Sequence, residues 1–196
     1  MSVTRRAAVT LVAFAALLAL PTQSLAQTRL FDLVRLMQLL SRAPGVEAPY
    51  TETKYSSLLA EPIVSSGTLS YRPPDTVEKS MTAPRKERFR IAGEELIIER
   101  NGAQRRFPLS SQPLLAAFAA SLRGVLAGDV TQLRSFYRLA LEGEEQGWQL
   151  VMIPLEVEIS RYVERITVSG RGERIDQIEV REASGDRSVL SVLQVP

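Results

Sequence analysis

The chain contains no cysteine and no histidine. Without cysteine it forms no disulfide, offers no thiolate nucleophile and cannot be acylated on an N-terminal cysteine as a lipoprotein is. Without histidine it lacks the commonest general base, and the two absences together remove most ligands for transition metals. The composition therefore predicts a protein that binds rather than reacts, with no catalytic residue, no metal site and no cofactor.

The other reactive groups are also few. The chain has three lysines, and no Gly-x-Ser-x-Gly nucleophile elbow is present. The adjacent carboxylates Glu94-Glu95 and Glu144-Glu145 would point to opposite faces of a strand, so neither pair is arranged for shared acid–base work. A hydrolase or thioesterase built on a carboxylate pair is thus the weakest functional interpretation.

Long apolar runs are confined to the N-terminus. Arg5 and Arg6 precede an apolar segment over 7–20, and small residues at 24 and 26 suit a signal peptidase. The segment is shorter than the roughly 20 residues that a membrane-spanning helix needs. We therefore expect a signal peptide over 1–26, cleavage after Ala26 and export to the periplasm, which leaves 27–196 as a single domain.

Excess charge of either sign is missing from the exported part of the chain. The full sequence has 24 basic and 22 acidic residues, and removing the two arginines of the leader leaves 22 of each, a net charge of zero. A neutral chain with scattered charges lacks the basic surface that nucleic acid requires. We expect no nucleic-acid partner.

The apolar pattern changes from helical to strand-like near residue 45. Apolar residues recur at helical spacing over 30–40, and Pro44 cannot continue that helix. Short segments rich in β-branched and aromatic residues follow, and tight turns such as Asn101-Gly102 predict antiparallel hairpins. The predicted strands cover 46–55, 63–71, 76–82, 87–91, 95–100, 103–109, 137–141, 148–153, 163–169, 174–181 and 188–195.

Two further helices are predicted between the sixth and seventh strands. Pro113 suits a first helical turn and Gly128 a C-terminal cap, while Asp129 can cap a second helix that ends near Phe136. In the strand over 174–181 the alternation is imperfect, which predicts a bulge or burial on both faces.

The fold class that follows is α+β and mainly β. A sheet of about eleven strands cannot stay flat, so it should curve and be covered on its inner face by helices. That face could be a packed core or could border an apolar cavity, and periodicity alone does not separate the two. The candidate cavity residues are Tyr50, Leu69, Tyr71, Phe89, Ile91, Leu96, Ile98, Phe107, Trp148 and Met152 on strands, and Leu115, Phe118 and Leu122 on the helix.

Several weak motifs, in the right order, give the chain a resemblance to the LolA family of periplasmic outer-membrane lipoprotein carriers. The motifs cover essentially all of residues 27–196. They are the opening strand Val46–Glu52, the Gly-x-Leu strand from Gly67 to Arg72-Pro73, the turn Ile91–Leu96, the strand Trp148–Pro154 and the closing hairpins Val163–Val192.

The resemblance implies an incomplete antiparallel barrel whose helices form a lid over a hydrophobic cavity. It implies a monomer that accepts acylated lipoproteins from an inner-membrane exporter and passes them to an outer-membrane acceptor. A glycolipid or another acyl product is an alternative cargo. The resemblance also implies that Arg72 locks the lid. The alternative function is that of a periplasmic scaffold or assembly subunit that binds protein through a sheet edge.

Overall fold

The structure, a computed structural model, describes residues 31–42, 45–111 and 113–193. The expected signal peptide lies outside these ranges. For several residues within α2, including Leu115, Phe118 and Leu122, the backbone is described and the side chain is not. Over the described ranges, no helix combines the length and the apolar character needed to cross a bilayer.

Eleven strands form one antiparallel sheet, as the sequence predicts. The sheet is open, because its edge strands β6 and β7 do not pair with each other, and its order is β6-β5-β4-β3-β2-β1-β11-β10-β9-β8-β7. The predicted mainly β fold is therefore confirmed. The strands are β1 (Val46–Tyr55), β2 (Ile63–Arg72), β3 (Thr76–Ala83), β4 (Glu87–Ala92), β5 (Glu95–Arg100), β6 (Ala103–Pro108), β7 (Tyr137–Glu144), β8 (Gly147–Pro154), β9 (Val163–Arg171), β10 (Arg174–Glu182) and β11 (Arg187–Val192).

The helices are short and two of them begin at aspartate caps. The Asp32 side chain accepts a hydrogen bond from the Arg35 amide at 2.8 Å, and Asp129 accepts one from the Gln132 amide at 3.0 Å. Such caps satisfy amides that have no partner inside the helix. The helices are α1 (Leu33–Leu40), α2 (Pro113–Ala127), α3 (Val130–Phe136) and α4 (Val157–Ser160), with a 3₁₀ turn at Leu109–Ser111.

The sheet consists of two meanders joined in the middle. Strands β1 to β6 form one meander and β7 to β11 the other, each with neighbouring strands adjacent in the sequence. Strand β1 pairs with β11, so that Tyr50 lies opposite Val192 and Tyr55 opposite Arg187. This pairing joins the two ends of the described chain and makes one continuous sheet.

The helical layer packs unequally on the two meanders. The larger core lies over β8 and β9, where α1 and α3 contribute Leu36, Met37, Leu40 and Leu133. The smaller cluster lies over β4 and β5 and contains Ile91, Leu96, Leu109 and Ala119. The strand residues of the larger core include Trp148, Leu150, Met152, Ile166 and Val168.

Polar contacts tie the helices to one end of the sheet, which we call the β4–β5 end. Arg123 of α2 donates from Nη1 to the Gly93 carbonyl in the β4–β5 turn at 3.0 Å. Arg35 of α1 pairs through Nε with Glu145 in the β7–β8 turn at 3.2 Å. The opposite end, here the β1–β2 end, carries the β1–β2, β3–β4 and β10–β11 loops.

Gly67 of β2 marks a close approach between two strands. It pairs with Tyr50 on one side and with Met81 on the other, beside a register irregularity at Ser66. A Cβ on Gly67 would lie 1.9 Å from the Ser80 carbonyl oxygen. That distance excludes any side chain unless the backbone moves.

Replacing Gly67 by alanine should therefore destabilise the protein by about 1–3 kcal/mol, the usual cost of overpacking. Gly147→Ala is the matched control, because a Cβ there meets nothing within 4 Å. We expect the control to stay within about 0.5 kcal/mol of the wild type. Urea unfolding of the three proteins measures the difference, and equal midpoints for the two variants would contradict the packing at β2 and β3.

Candidate functional site

A cavity of about 700 Å³ lies between the inner face of the sheet and the helical layer. Because successive side chains on a strand alternate between faces, most of the large apolar residues that a strand contributes to this wall lie two positions apart. Leu69 and Tyr71 of β2 show this spacing. On the helical side the wall includes Leu40 of α1 and Val125 and Leu126 of α2.

The sheet curves strongly around this cavity. Side chains of the nine consecutive strands from β5 across β1 and β11 to β8 line the same space. Nine flat strands spaced about 4.8 Å apart would span roughly 38 Å. One cavity can touch all of them only because the sheet wraps around it, which is the geometry of an incomplete barrel.

A bulge in β10 adds apolar side chains to the cavity wall. The pairing of β10 with β9 shifts register between Ile175 and Gln177. One extra residue reverses the face that later side chains occupy, so Ile175, Ile178 and Val180 all line the cavity. The imperfect alternation of this strand thus reflects the bulge.

The structure brings together on the cavity wall most of the strand residues proposed from the sequence. They share the inner face of the first meander, except for one residue on β8. They are Leu69, Tyr71, Phe89, Ile91, Leu96, Ile98 and Met152.

Three other residues that the sequence proposes for the cavity are not among those that line it. Trp148 belongs to the larger core and donates from Nε1 to the Gly172 carbonyl at 2.9 Å. Phe107 packs against the smaller cluster from the edge strand β6. Tyr50 lies on the inner face of β1 but is fully buried there, with the Lys79 ammonium 5.2 Å from its ring centre. The side chains of Leu115, Phe118 and Leu122 are outside the described part of the chain.

The apolar cavity residues of β9, β10 and β11 were not predicted from the sequence. Their strands show the same alternation as the selected ones, so an explicit count of inner-face positions would have found many of them. They are Ile166 and Val168 of β9, Ile175, Ile178 and Val180 of β10, and Leu190 and Val192 of β11.

Arg72 lies on the outer side of the sheet. Its neighbour Tyr71 faces the cavity, and alternation turns Arg72 the other way. The side chain is exposed and makes no hydrogen bond or ion pair with the described residues. The arginine that does join a helix to the sheet is Arg123, through the Gly93 carbonyl.

A polar network lies in the cavity wall at its β1–β2 end. The Glu52 carboxylate pairs with Lys79 and accepts hydrogen bonds from Ser188 Oγ at 2.7 Å and Ser65 Oγ at 3.3 Å. Burial raises the pKa of Glu52, but the Lys79 charge and the hydrogen bonds from Lys79, Ser188 and Ser65 outweigh it and hold that pKa below 4.5. Glu52 is therefore anionic at neutral pH.

The negative charge of Glu52 also affects Tyr50. Burial, and next the charge of Glu52, raise the pKa of the Tyr50 phenol from 10.0 to about 12. Its hydroxyl therefore stays neutral at physiological pH. Among the described residues there is no group of three acidic, histidine or cysteine side chains that could hold a metal ion. The cavity is thus mainly apolar, with an ionised carboxylate in its wall.

Glu52→Gln should make the stability of the protein less sensitive to acid. The folded-state pKa of Glu52 lies below its unfolded value of 4.5, so its contribution is present above pH 4.5 and is lost as pH falls through the folded pKa. The difference in unfolding free energy between wild type and Glu52→Gln should be largest near pH 7 and shrink below pH 4.5. Urea unfolding at several pH values measures it.

Glu99→Gln provides the control for this titration, because the Glu99 side chain is 46% exposed and its pair with Arg88 is long, at 3.4 Å. Its difference from wild type should stay small at every pH. If the difference in unfolding free energy between wild type and Glu52→Gln stays constant from pH 7 to pH 3, Glu52 is not held ionised by its partners.

Comparison with known proteins shows the family of the whole chain and not of the cavity alone. A family model described as "Outer membrane lipoprotein carrier protein LolA-like" matches residues 25–192. No curated protein sequence matches the chain.

Solved structures similar to this chain include proteins of several bacteria. A LolA superfamily protein from Nitrosomonas europaea is 12% identical, with a TM-score of 0.47, over 83% of this chain and 90% of that one. A DUF1329 family protein from Desulfovibrio piger is 11% identical, with a TM-score of 0.46, over 83% and 89%. The Mycobacterium tuberculosis lipoprotein LppX is 9% identical, with a TM-score of 0.41, over 82% and 91%.

The family assignment comes from the family model, which covers all eleven strands and the helices between them. The chain belongs to the LolA-like family of outer membrane lipoprotein carrier proteins.

Proposed function

We propose that this chain is a periplasmic carrier that holds acyl chains in its cavity and moves them from the inner to the outer membrane. The cargo is an acylated lipoprotein or a related lipid or glycolipid. The observation that carries the proposal is the apolar cavity of about 700 Å³ between the curved sheet and the helices. Membership of the LolA-like family supports the same function.

The energetics of an acyl chain suit such a cavity but require a means of release. Each buried methylene contributes about 0.8 kcal/mol, so one long chain contributes more than about 10 kcal/mol before the costs of binding. Binding of that strength releases cargo slowly unless a competing state of the protein opposes it. The helices over the cavity can supply this opposition if they act as a lid that opens and closes.

The contacts of the helical layer suggest which side of the lid moves. Over β8 and β9 the layer is held by large buried side chains, including Trp148 and Leu36. Over β4 and β5 Arg123 of α2 donates a hydrogen bond to the Gly93 carbonyl, a polar contact that a small shift of α2 would break. In this proposal α2 lifts from β4 and β5 while the other side stays closed.

The partners follow from the proposed route. An inner-membrane exporter delivers the cargo, an outer-membrane acceptor receives it, and the carrier acts as a monomer. No chemical step is required, which agrees with the lack of histidine and cysteine in the sequence. The protein is proposed to be a binding protein and not an enzyme.

The open sheet edges favour one alternative, a scaffold that binds another protein by strand pairing. Unpaired edge strands offer free backbone groups to a partner strand. Strand β6, however, carries Arg105, Arg106 and Pro108, and arginine and proline are typical of edges that resist pairing. We therefore prefer the carrier function, which uses the cavity.

Filling the cavity should abolish the binding of apolar ligands. Ala48 of β1 is half-buried on the cavity wall, so Ala48→Trp places an indole inside the cavity. We expect at least about tenfold weaker binding of N-phenyl-1-naphthylamine, a neutral probe whose fluorescence rises in apolar surroundings. Ala103→Trp on the exposed edge of β6 is the matched control and should bind the probe as the wild type does.

Urea unfolding checks that both variants are folded, and Ala48→Phe is the substitute if the tryptophan is not tolerated. If the wild type does not bind the probe at all, the carrier function is wrong. If Ala48→Trp and Ala103→Trp bind it with equal affinity, the binding site is not this cavity.

Arg123→Leu should speed the uptake of the same probe. The change removes a hydrogen bond from a charged donor. That bond stabilises the closed position of α2 by about 1.5–3 kcal/mol. Opening should then be on the order of tenfold faster, as measured by stopped-flow fluorescence. Arg72→Leu is the matched control, because Arg72 faces away from the cavity, and it should leave the rate unchanged. If Arg72→Leu speeds uptake and Arg123→Leu does not, the lid contact belongs to Arg72, as the family resemblance implies.

A further inference from the structure

A second, smaller groove adjoins the cavity at the β1–β2 end of the sheet. Its volume is about 440 Å³, and Glu52 lines both the groove and the cavity. The Glu52–Lys79 pair therefore lies at the boundary between the two spaces. The residues lining the groove are Glu52, Lys54, Ile63, Ser65, Met81, Pro84 and Arg85.

Charged side chains lie at both ends of a mainly apolar cavity wall. At the β4–β5 end the cavity is lined by Glu47, Glu173 and Arg174 as well as by apolar residues. In the groove at the β1–β2 end, Lys54 and Arg85 lie among apolar side chains. An amphiphile can place its chain along the apolar wall and its polar group beside these two cations.

The groove and its surroundings hold charged groups of both signs in equal number. The cations are Lys54, Lys79, Arg85 and Arg100, and the carboxylates are Glu52, Glu87, Glu182 and Asp186. Lys54 pairs with Glu182 at 2.8 Å and Lys79 pairs with Glu52. The remaining two cations share a single carboxylate.

That shared carboxylate leaves Arg85 available to a ligand. Glu87 is almost completely buried, with a side chain 3% exposed, and its carboxylate lies 2.8 Å from both Arg85 and Arg100. The Arg85 side chain is 69% exposed at the groove. If Arg85 turns towards a bound anion, Arg100 still neutralises Glu87, so no buried charge is left unpaired.

Stability alone does not account for the charged boundary of the cavity. A partly buried ion pair gives little net stability compared with apolar side chains of similar size. Lys79 and Glu52 nevertheless occupy inner-face positions, where valine or leucine would extend the apolar wall. A role in ligand recognition explains charged residues at this boundary.

We infer that the groove is a headgroup subsite, which takes the phosphate or carboxylate of an anionic amphiphile whose acyl chain lies in the cavity. The inference rests on the proposed carrier function and adds the chemical class of the cargo. Arg85 and Lys54 would contact the anion, and the Glu52–Lys79 pair would lie between headgroup and chain.

The test compares ligands that share one chain and differ in the headgroup. Dodecyl phosphate, dodecyl maltoside and dodecyltrimethylammonium, each below its micellar concentration, are titrated against protein carrying N-phenyl-1-naphthylamine. We expect dodecyl phosphate to displace the probe at about tenfold lower concentration than the neutral and cationic ligands. Inorganic phosphate, which has no chain, should not displace the probe, and calorimetry should show far weaker binding of it than of dodecyl phosphate.

Single charge removals then locate the subsite. Arg85→Gln and Lys54→Gln should each weaken dodecyl phosphate about tenfold and leave dodecyl maltoside unchanged. Arg88→Gln is the matched control, since Arg88 lies on the opposite face of β4 from Phe89 and Ile91. Urea unfolding verifies the fold of each variant, and the two groove variants test the subsite independently.

The outcomes separate this inference from the carrier function itself. Equal affinity for the three amphiphiles, or a loss common to all three in the groove variants, would overturn the headgroup subsite while the cavity function stands. Inorganic phosphate that binds as tightly as dodecyl phosphate would show a free-anion site and would also overturn it. Failure of every amphiphile to displace the probe would reject the carrier function and the subsite together.

Discussion

The pairing of β1 with β11 is the contact on which the rest of the molecule depends. Each meander alone has five or six strands, but joined by the pairs from Tyr50–Val192 to Tyr55–Arg187 they form one sheet of eleven. A sheet of that width twists and curves strongly enough to surround a cavity, which a flat ribbon of five or six strands does not. The cavity wall accordingly contains residues from both meanders, among them Leu69 and Ile178.

The helical layer covers the inner face of this curved sheet without filling the space beneath it. Large side chains around Trp148 pack the layer against the second meander, and Arg123 donates a hydrogen bond to the Gly93 carbonyl of the first. In the proposed function this layer moves as a lid without unfolding the sheet, which is what reversible binding of a long apolar chain requires.

Local patterns predicted the strands and the meander of the first half, but not how the two halves join. The Asn101-Gly102 turn was recognisable because both residues adopt positive φ, at 53° and 77°. By contrast, no local pattern indicates that β1 pairs with β11, since that choice depends on side chains distant in the sequence. The four-residue helix α4 was missed because it is too short to show a helical period. Alternation identified the inner face, but whether a residue there meets a helix, like Trp148, or the cavity, like Phe89, depends on where the helices lie.

Native mass spectrometry of the protein purified from the cells that produce it tests the central claim most directly. The account predicts that the wild type retains an added mass of a lipid, glycolipid or acylated peptide, and that Ala48→Trp, expressed in the same way, is found at the mass of the chain alone. A wild type that shows only the mass of the chain, and takes up no lipid when incubated with a membrane extract, would contradict a carrier of acyl chains.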